Sequence, residues 1–371
     1  MTKVLFVSND PSIFDPKGAT HARMRAYAKA IGELHIVSAA PWGTKDAADG
    51  PLHLHPVHAW RLFRVAALTR RARALIRAGG IEVVSAQDPF EHGRAAANAI
   101  HGTQAKFHVQ VHTDFLAPAF ARESVKNRVR VALADGVLRE AAGIRVVSER
   151  VKRSLVARYG SAIPEPSVIP VAVSAEVPPA LPLPAHPFKF SLLAAGRLEK
   201  EKHIDAVIRA LAHVVKQYRI VGLFVVGDGR ERKRLERLVR SLGLGEHVRF
   251  EGWLPAEQTW SFIRSAQAFV QMSSYEGYGR TLVEAALAKV PIITTDVGIV
   301  GDVLKDREDV LVVPAGEPAM LVRAVASLIE DATMRTQLAV HAELSARAHL
   351  AAAGDIPSRI AEDLARVAAQ K

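Results

Sequence analysis

Residues 273–298, SSYEGYGRTLVEAALAKVPIITTDVG, hold a glycine-flanked loop, a helical segment and a β-branched strand, in that order. The apolar run Ala268–Gln271 precedes the loop, so the stretch predicts a strand-helix-strand unit. Short apolar runs alternate with longer helical patterns in both directions from here. We therefore expect an α/β chain built on parallel sheets.

This alternation predicts strands and helices throughout the chain. In the first half the expected strands are Lys3–Val7, Leu34–Val37, Glu82–Ser85, Phe107–Val111, Arg145–Val147 and Val168–Pro170. The helices expected between them are Ala19–Ile31, Arg61–Ala78, Glu91–Ile100, Ser124–Ala141 and Glu149–Tyr159. The second half repeats the scheme, which indicates two doubly wound domains.

The length of 371 residues also indicates two domains. A proline-rich segment without helical periodicity, VPPALPLPAHP at 177–187, is expected to link them. The expected Rossmann-like domains span 1–176 and 188–347, and a last helix in 348–371 is expected to return to the first domain. Such sheets bind ligands beyond the carboxyl ends of their strands, so a cleft between the domains is the expected active site.

Composition excludes several classes of protein. The chain has no cysteine, which excludes disulfides, thiolate metal sites, iron–sulfur clusters and cysteine nucleophiles. Its N-terminus, MTKVLFVSND, has too short an apolar run for a signal peptide, and no stretch reaches the roughly 18 apolar residues of a membrane-spanning helix. We expect a cytoplasmic protein that touches at most the inner face of the membrane.

Basic residues are concentrated in the first half. The formal net charge is +11, and residues 1–186 hold 24 basic against 15 acidic side chains. The segment 61–79, RLFRVAALTRRARALIRAG, has six arginines, no acidic residue and apolar residues between them. On a helix it would form a basic amphipathic surface of the kind that binds anionic lipid. A helix that packs on the core with a solvated arginine face is the alternative.

The stretch AAGRLEKEKHIDAVIRAL, residues 194–211, places Gly196, Arg197 and Lys202 between a buried strand and a helix. Two cations near a helix N-terminus would form a clamp for a diphosphate. Both cations are expected in a solvent-lined loop. Alternatively, the basic side chains of this loop only form ion pairs with nearby glutamates.

The stretch VVGDGRERKRL, residues 225–235, predicts a strand, a glycine turn and a helix. Arg232 stands where a dinucleotide-binding fingerprint has its third glycine, which weakens that interpretation. Gly227 more simply shapes a turn that faces a nucleotide.

The loop YEGYGRT offers backbone amides at a helix start, which suits a phosphate. Glu276 lies in this loop, and Glu284 follows eight residues later on the helix that begins near Thr281. One carboxylate can then face the reacting end of a donor while the other binds a ribose diol. Two surface glutamates at this spacing are common, so the pair gains weight only from the surrounding motifs.

Residues 194–313 resemble the donor-binding half of the retaining family 4 glycosyltransferases, GT-B enzymes that move a sugar from a nucleotide diphosphate. The resemblance is carried by GRLEKEKHID, VVGDGRER, VRFEGWL, YEGYGRTLVE and ALAKVPIITTDVG. It extends more loosely to PKGATHARMRAYAKAI, AQDPFEHG, VQVHTDF and IRVVSERVKRSL in the first half. It implies a GT-B fold, in which two doubly wound Rossmann-like domains face a central cleft.

The resemblance also implies roles for particular residues. Arg197 and Lys202 would hold the diphosphate. Glu276 would contact hydroxyls of the donor sugar, Glu284 would bind the ribose, and His112 would lie at the sugar. The other residues implied at the donor nucleotide are Gly18, Gly196, Gly227, Gly252, Trp253, Gly277, Tyr278, Gly279 and Arg280.

Two positions depart from the family. Its members often have two adjacent glycines in the first loop, where this chain has Gly18 followed by Ala19. Arg280 stands where many members carry an aliphatic residue, so it either reaches a phosphate or caps a surface. Asp114, close to His112, is a lower-ranked candidate.

No metal site is expected. His53, His55 and His58 resemble a ligand cluster, but they lie in an extended, proline-flanked segment at a spacing that fits no closed site. A solvated surface stripe is the favoured interpretation. No D-x-D motif stands in a suitable strand-end loop, so cations and helix dipoles would take the charge of the leaving diphosphate.

Together these features predict a hexosyltransferase with a UDP- or GDP-sugar donor, a glycan or lipid-linked hydroxyl acceptor, retention of configuration and no cofactor. An NAD-dependent oxidoreductase would explain the alternating architecture, but neither half has an intact glycine fingerprint. A nucleic-acid-binding protein would explain the charge. However, aromatic residues make up only 6% of the chain and no nucleic-acid motif appears, so no nucleic-acid partner is expected.

Overall fold

The computed structural model describes residues 2–179, 181–183 and 186–370. It divides into two compact units. The first contains the chain up to Val171 together with the residues from Ala353 onward, and the second contains Ala172–Ala352. No helix in the described ranges is long and apolar enough to cross a bilayer.

The predicted linker, 177–187, belongs with the second unit, and its residues 180, 184 and 185 lie outside the described residues. The Pro178 carbonyl accepts a hydrogen bond from Arg264 Nη1 at 2.8 Å. The Leu181 amide donates to Ser261 Oγ at 2.8 Å. These bonds tie the linker to a helix of the second unit.

A mostly parallel sheet forms the core of the first unit. Its strands are β1 (Thr2–Ser8), β2 (Gly32–Ala39), β3 (Ala47–Asp49), β4 (Leu52–Val57), β5 (Val83–Ala86), β6 (Lys106–Val111), β7 (Gly143–Val146) and β8 (Ser167–Val168). Over the described residues their order is β3-β4-β2-β1-β5-β6-β7-β8, and only β3 pairs antiparallel. The side chains of Val4, Leu5 and Val7 are fully buried, as expected for a central strand covered on both faces.

Helices cover both faces of this sheet. They are α1 (Ala19–Ile31), α2 (Arg64–Ala78), α3 (Glu91–Ile100), α4 (Pro118–Glu123), α5 (Val125–Glu140), α6 (Glu149–Tyr159) and the last helix of the chain, α13 (Ile356–Ala368). Helices α1 and α13 pack together, and α2 packs with α3.

The second unit has a fully parallel sheet. Its strands are β9 (Phe190–Ala195), β10 (Val221–Val226), β11 (Val248–Gly252), β12 (Ala268–Gln271), β13 (Ile292–Thr294) and β14 (Leu311–Val312). Within the described ranges they lie in the order β11-β10-β9-β12-β13-β14. The helices are α7 (Ile204–Gln217), α8 (Arg232–Ser241), α9 (Ala256–Ser265), α10 (Arg280–Leu287), α11 (Pro318–Glu330) and α12 (Ala332–Ala353).

The structure differs from the sequence prediction in several places, among them the short helix α4, which was not predicted. The segment expected to be merely extended forms β3 and β4, which add an edge hairpin to the first sheet. The helix expected from Arg61 starts with a 3₁₀ turn, Arg61–Phe63, before α2. The boundary expected between 347 and 348 falls inside α12, and the chain passes from the second unit to the first at residues 352–353 instead.

A buried polar chain fastens α13 to the first sheet. Asp363 Oδ2 lies 3.1 Å from His108 Nε2 on β6, and Asp363 Oδ1 accepts from Ser167 Oγ on β8 at 2.8 Å. The chain continues from His108 Nδ1 to Ser85 Oγ on β5 at 2.8 Å. Burial raises the pKa of the Asp363 carboxyl, but hydrogen bonds from His108, Ser167 and Arg366 outweigh burial and lower it to about 2. The last helix is therefore held by an ionised carboxylate.

Asp363→Asn should lower the free energy of unfolding at pH 7 by about 1–3 kcal/mol, because buried partners lose a charged acceptor. A lowered carboxyl pKa stabilises the fold above the pKa of the unfolded chain and ceases to do so as pH falls through the folded value. The difference between wild type and variant should therefore shrink as pH falls from 3.8 towards about 2. Denaturant unfolding at a series of pH values measures it.

The matched control is Glu362→Gln, which removes a carboxylate from the neighbouring exposed position on α13. It should change stability little at any of these pH values. Equal effects of the two substitutions would contradict the role given to Asp363.

Candidate active site

In each sheet the strand order reverses at one point, and the loops after the two strands that flank this point diverge. In the second sheet the chain moves outward from β9 through β10 to β11, then returns to the other side of β9 with β12. In the first sheet the same reversal falls between β1 and β5. Loops that follow the strands at such a reversal point leave in opposite directions, and the crevice between them is the usual ligand site of open α/β sheets.

Backbone packing brings the two predicted glycine loops of the second unit together. The Gly196 amide donates to the Val226 carbonyl at 2.9 Å, and the Gly227 amide donates to the Gly252 carbonyl at 2.7 Å. Gly227 has φ 126°, and a Cβ built on it would lie 1.9 Å from the Gly196 carbonyl oxygen. Only glycine fits there, because any side chain would collide with the loop that carries Arg197.

Lys202 and Glu276 form an ion pair across the reversal point of the second sheet. Lys202 is in the loop after β9 and Glu276 is in the loop after β12. The two loops are also joined by the Ser274 amide, which donates to the Glu201 carbonyl at 2.8 Å, and Ser273 Oγ donates to Glu276 Oε1 at 2.8 Å. The structure therefore brings together a cation and a carboxylate that the sequence separates by 74 residues.

The two cations of the predicted clamp lie in different surroundings. The Arg197 side chain is 78% exposed and lies 3.5 Å from Glu201. The Lys202 side chain is only 18% exposed because it pairs with Glu276. The expectation of a solvent-lined loop is correct for Arg197 and wrong for Lys202.

The predicted ribose-binding residue, Glu284, lies on α10 with its side chain only 10% exposed. Arg280 Nε donates to Glu284 Oε1 at 2.8 Å. Burial raises the pKa of the Glu284 carboxyl, and the Arg280 guanidinium opposes that rise. Arg280 thus binds the carboxylate one helical turn away.

The glycine-flanked loop before α10 is held in place by contacts with later segments of the second unit. Gly279 caps α10 with φ 88°, and Tyr278 is buried below it. The Tyr278 hydroxyl and His349 Nε2 lie 3.0 Å apart, and the Ile299 amide donates to the Tyr278 carbonyl at 3.0 Å. Burial raises the pKa of Tyr278 and lowers that of His349, so a neutral pair anchors the loop.

Two other predicted residues lie at the end of β11. Gly252 ends that strand with φ 73°, and Trp253 follows with a side chain that is 70% exposed. The exposed indole is available to stack on a flat ligand. Gly277 is buried in the loop after β12.

The first unit has its own cavity at the reversal point of its sheet, about 300 Å³ in volume. His112, directly after β6, lines it together with Thr20 near the start of α1. Gly18 caps α1, and its amide donates to the Asp15 carbonyl at 2.9 Å. Asp114 is buried, and burial raises its pKa.

Two arginines that the sequence analysis did not single out, Arg23 and Arg145, also line this cavity. Arg145 is buried on β7, where Nη1 donates to Gln110 Oε1 at 2.6 Å and Nη2 donates to the Pro170 carbonyl at 2.8 Å. Burial lowers its pKa to about 10, so it stays charged. The signal in the sequence was an arginine inside an apolar strand, because a buried charge is costly unless polar partners are built around it.

His112 is electrically neutral in this setting. Burial, followed by the charges of Arg145 and Arg23, lowers its pKa to about 3. Its Nε2 is buried and has no hydrogen-bond partner among the described residues. A buried ring nitrogen without a partner at a cavity wall is a candidate contact for a polar ligand.

Two family models match the chain over most of its length. Glycosyltransferase Family 4 matches residues 20–177, and Glycosyl transferases group 1 matches residues 185–344. The chain belongs to the family 4 glycosyltransferases. The family agrees with the sequence resemblance, and it favours sugar transfer over the oxidoreductase and nucleic-acid-binding alternatives.

Curated relatives share part of the sequence. The lipopolysaccharide core biosynthesis glycosyltransferase LpsE of Rhizobium meliloti is 30% identical over 148 residues, which are 40% of this chain and 42% of that protein. The 2-deoxystreptamine glucosyltransferase of Streptomyces kanamyceticus is 29% identical over 236 residues, 60% of this chain and 61% of that one. The chain spans less than two thirds of the length of these relatives.

Solved structures match almost the whole chain. Sucrose-phosphate synthase from Thermosynechococcus elongatus has a TM-score of 0.80 at 18% identity and covers 98% of this chain and 99% of its own. Anabaena HepE in complex with UDP and glucose has a TM-score of 0.73 at 21% identity and covers 99% and 100%. The fold is GT-B, with two Rossmann-like domains, as predicted.

Proposed function

We propose that this protein transfers a hexose or hexosamine from a UDP- or GDP-sugar to a hydroxyl acceptor with retention of anomeric configuration. The observation that carries the proposal is the Lys202–Glu276 pair, which sets a cation and a carboxylate side by side at the reversal point of the second sheet. That position is where a doubly wound sheet binds nucleotides. HepE, which shares this fold, was crystallised with UDP-glucose.

In this proposal the second unit holds the donor. Arg197 and Lys202 face the diphosphate, whose negative charge grows as the bond to the anomeric carbon breaks. The amides at Gly277–Arg280 and the positive end of α10 add to that stabilisation. Glu284 takes the ribose hydroxyls, and Trp253 with Gly252 borders the base.

The reaction that fits this set of residues uses one face of the sugar. The bond between the anomeric carbon and the diphosphate oxygen breaks, the acceptor oxygen bonds to the same face, and the acceptor proton passes to the leaving diphosphate oxygen. Glu276 orients the sugar ring through its hydroxyls. The roles predicted for Gly18 and His112 towards the donor, and the absence of a metal requirement, stay predictions.

The direct test measures binding and product. Of a panel of UDP- and GDP-sugars, one should raise the melting temperature of the full chain, because a ligand of the native state stabilises it by mass action. The same donor should be hydrolysed slowly without acceptor, in chelator as well as in buffer. The anomeric proton coupling of the product, read by NMR, should match that of the donor. An inverted product would reject retention, and stabilisation by NAD alone would reject sugar transfer.

The two glutamates should differ in what they control. Glu276→Gln should lower kcat more than donor affinity, because its carboxylate orients the sugar as charge develops at the anomeric carbon. Glu284→Ala should weaken binding of the free nucleotide diphosphate by about 1–3 kcal/mol through lost ribose hydrogen bonds. Calorimetry with UDP and GDP, beside initial rates, measures both.

Lys202→Ala and Arg197→Ala provide the comparison for this experiment. Each should cost about 2–4 kcal/mol in transition-state stabilisation if it faces the diphosphate. Lys202→Ala also leaves Glu276 without its cation. The Lys202→Ala, Glu276→Gln double variant therefore shows how much of the lost activity comes from breaking this ion pair and how much from losing the contact with the diphosphate. If Glu276→Gln loses nucleotide affinity while Glu284→Ala does not, the assignment of the two carboxylates is wrong.

We also propose that the basic helix of the first unit contacts an anionic bilayer at the cytoplasmic face, where a lipid-linked acceptor would be reached. Leu68, Ala72 and Ile76 form the buried face of α2, so part of this helix packs on the core as the alternative interpretation expects. The preceding turn nevertheless leaves Leu62 92% and Phe63 66% exposed. Exposed apolar side chains beside exposed arginines suit an anionic lipid surface.

Liposome sedimentation tests this contact. Wild type should bind vesicles with anionic lipid and not neutral vesicles, and the Arg70→Gln, Arg77→Gln double variant should bind markedly less. The Arg240→Gln, Arg249→Gln double variant, which removes two exposed arginines of the second unit, is the control for loss of charge alone. Equal binding to both kinds of vesicle, or none to either, would reject the contact.

A further inference from the structure

We propose that Glu33, His35 and His53 form a site for a divalent transition-metal ion such as Zn²⁺ on the first sheet. Strands β2 and β4 pair in parallel with His35 opposite His53. Because side chains alternate along a strand, Glu33, His35, His53 and His55 all point to one face. Neighbouring strands thus collect four potential ligands that lie up to 22 positions apart in the chain.

The distances among the ligand atoms suit one ion. Glu33 Oε1 lies 2.9 Å from His35 Nε2 and 4.0 Å from His53 Nε2. One ligand atom from each of the three residues lies within 4.8 Å of the others. Ligand atoms at the usual zinc distances of about 2.0–2.1 Å lie about 3.3 Å apart around a tetrahedral ion. This value falls between the two distances from Glu33 Oε1 to the histidine nitrogens. Two imidazoles and one carboxylate form a set that zinc, cobalt, nickel and copper ions accept.

The surroundings orient His35 as a ligand. His35 Nδ1 lies 3.0 Å from His55 Nε2, and His55 Nδ1 lies 2.9 Å from Asp46 Oδ2. With ring hydrogens on both Nδ1 atoms, His35 donates to His55 and His55 donates to Asp46. This tautomer leaves the lone pair of His35 Nε2 for the ion. A histidine ligand whose other nitrogen donates towards a carboxylate is the usual arrangement around bound metal.

The cluster is open enough for an ion to enter. The side chains of Glu33 and His53 are 39% and 34% exposed, and that of His35 is 12% exposed. The His35 and His53 rings stack with centroids 4.6 Å apart, which holds them side by side. Lys3 Nζ lies 2.8 Å from Glu33 Oε1, so an ion at that oxygen must displace the lysine.

The position separates this site from the candidate active site. Ile36, the residue after His35 on β2, lines the cavity with His112, and consecutive residues of a strand point to opposite faces, so the cluster and the cavity lie on opposite faces of the first sheet. An ion here would cross-link β2 to the edge hairpin β3–β4, and its effect would be on stability.

Metal binding to the full chain, freed of any affinity tag and stripped with chelator, tests the site. Titration with Co²⁺ should give visible absorption bands that saturate at one ion per chain, and Zn²⁺ should displace the Co²⁺ and raise the melting temperature. His53→Gln and Glu33→Gln should each weaken binding on the order of tenfold or more, and His55→Gln, a positioning residue, by about 10–100-fold. Lys3→Gln should tighten binding because it removes the competitor for Glu33.

His101→Gln, an exposed histidine of the same unit, is the matched control and should leave binding unchanged. Thermal melting in chelator verifies that each variant folds. Because Glu33→Gln and His53→Gln remove different ligands, one of the two in folded form is enough to test the site. Absence of saturable binding, binding that survives both of these substitutions, or weaker binding in Lys3→Gln would overturn the proposal.

Discussion

Parallel strand order is the constraint on which this structure depends. Parallel strands place all their carboxyl ends on one edge, and a chain that winds outward from a central strand twice must leave a reversal point there. In the second sheet that point lies between β9 and β12. Residues from distant segments meet there because β9 and β12 are neighbours in the sheet and the loops after both strands start at the same end. The Lys202–Glu276 pair and the backbone bond from Ser274 to Glu201 are the direct result.

Close backbone packing makes this edge rigid. Gly227 sits against the Gly196 carbonyl, and its positive φ and the lack of space for a Cβ both require glycine. Behind the loop that follows β12, the partly buried Tyr278–His349 contact fixes the start of α10. The amides at that helix start are therefore oriented before any ligand arrives. Preorganised donors of this kind are effective in stabilising developing negative charge, because they need no rearrangement during the reaction.

The first sheet uses its two faces differently. On one face, Arg145 and the neutral His112 line a cavity together with Gln110, from which hydrogen bonds lead through Ser85 and His108 to Asp363 on the last helix. The returning helix is thus connected to the cavity by hydrogen bonds. On the other face, the histidines of β2 and β4 lie towards α2, where Arg71 pairs with Asp46. One sheet therefore carries two polar clusters that do not share residues.

The sequence by itself determined the fold class and most elements, because alternating apolar runs and helical periods are local signals. Helices α1, α3 and α6 begin and end at the residues predicted for them. The motif YEGYGRTLVE indicated the family for the same reason, since its glycines and glutamates act within one loop and one helix. The tertiary structure alone decided which side chains pair. It placed Lys202 against Glu276 and buried Arg145 against Gln110. It also separated His58 from His53 and His55 and supplied Glu33 and His35 as their neighbours. Partners that lie tens of residues apart are set by strand order and register, which no local pattern encodes.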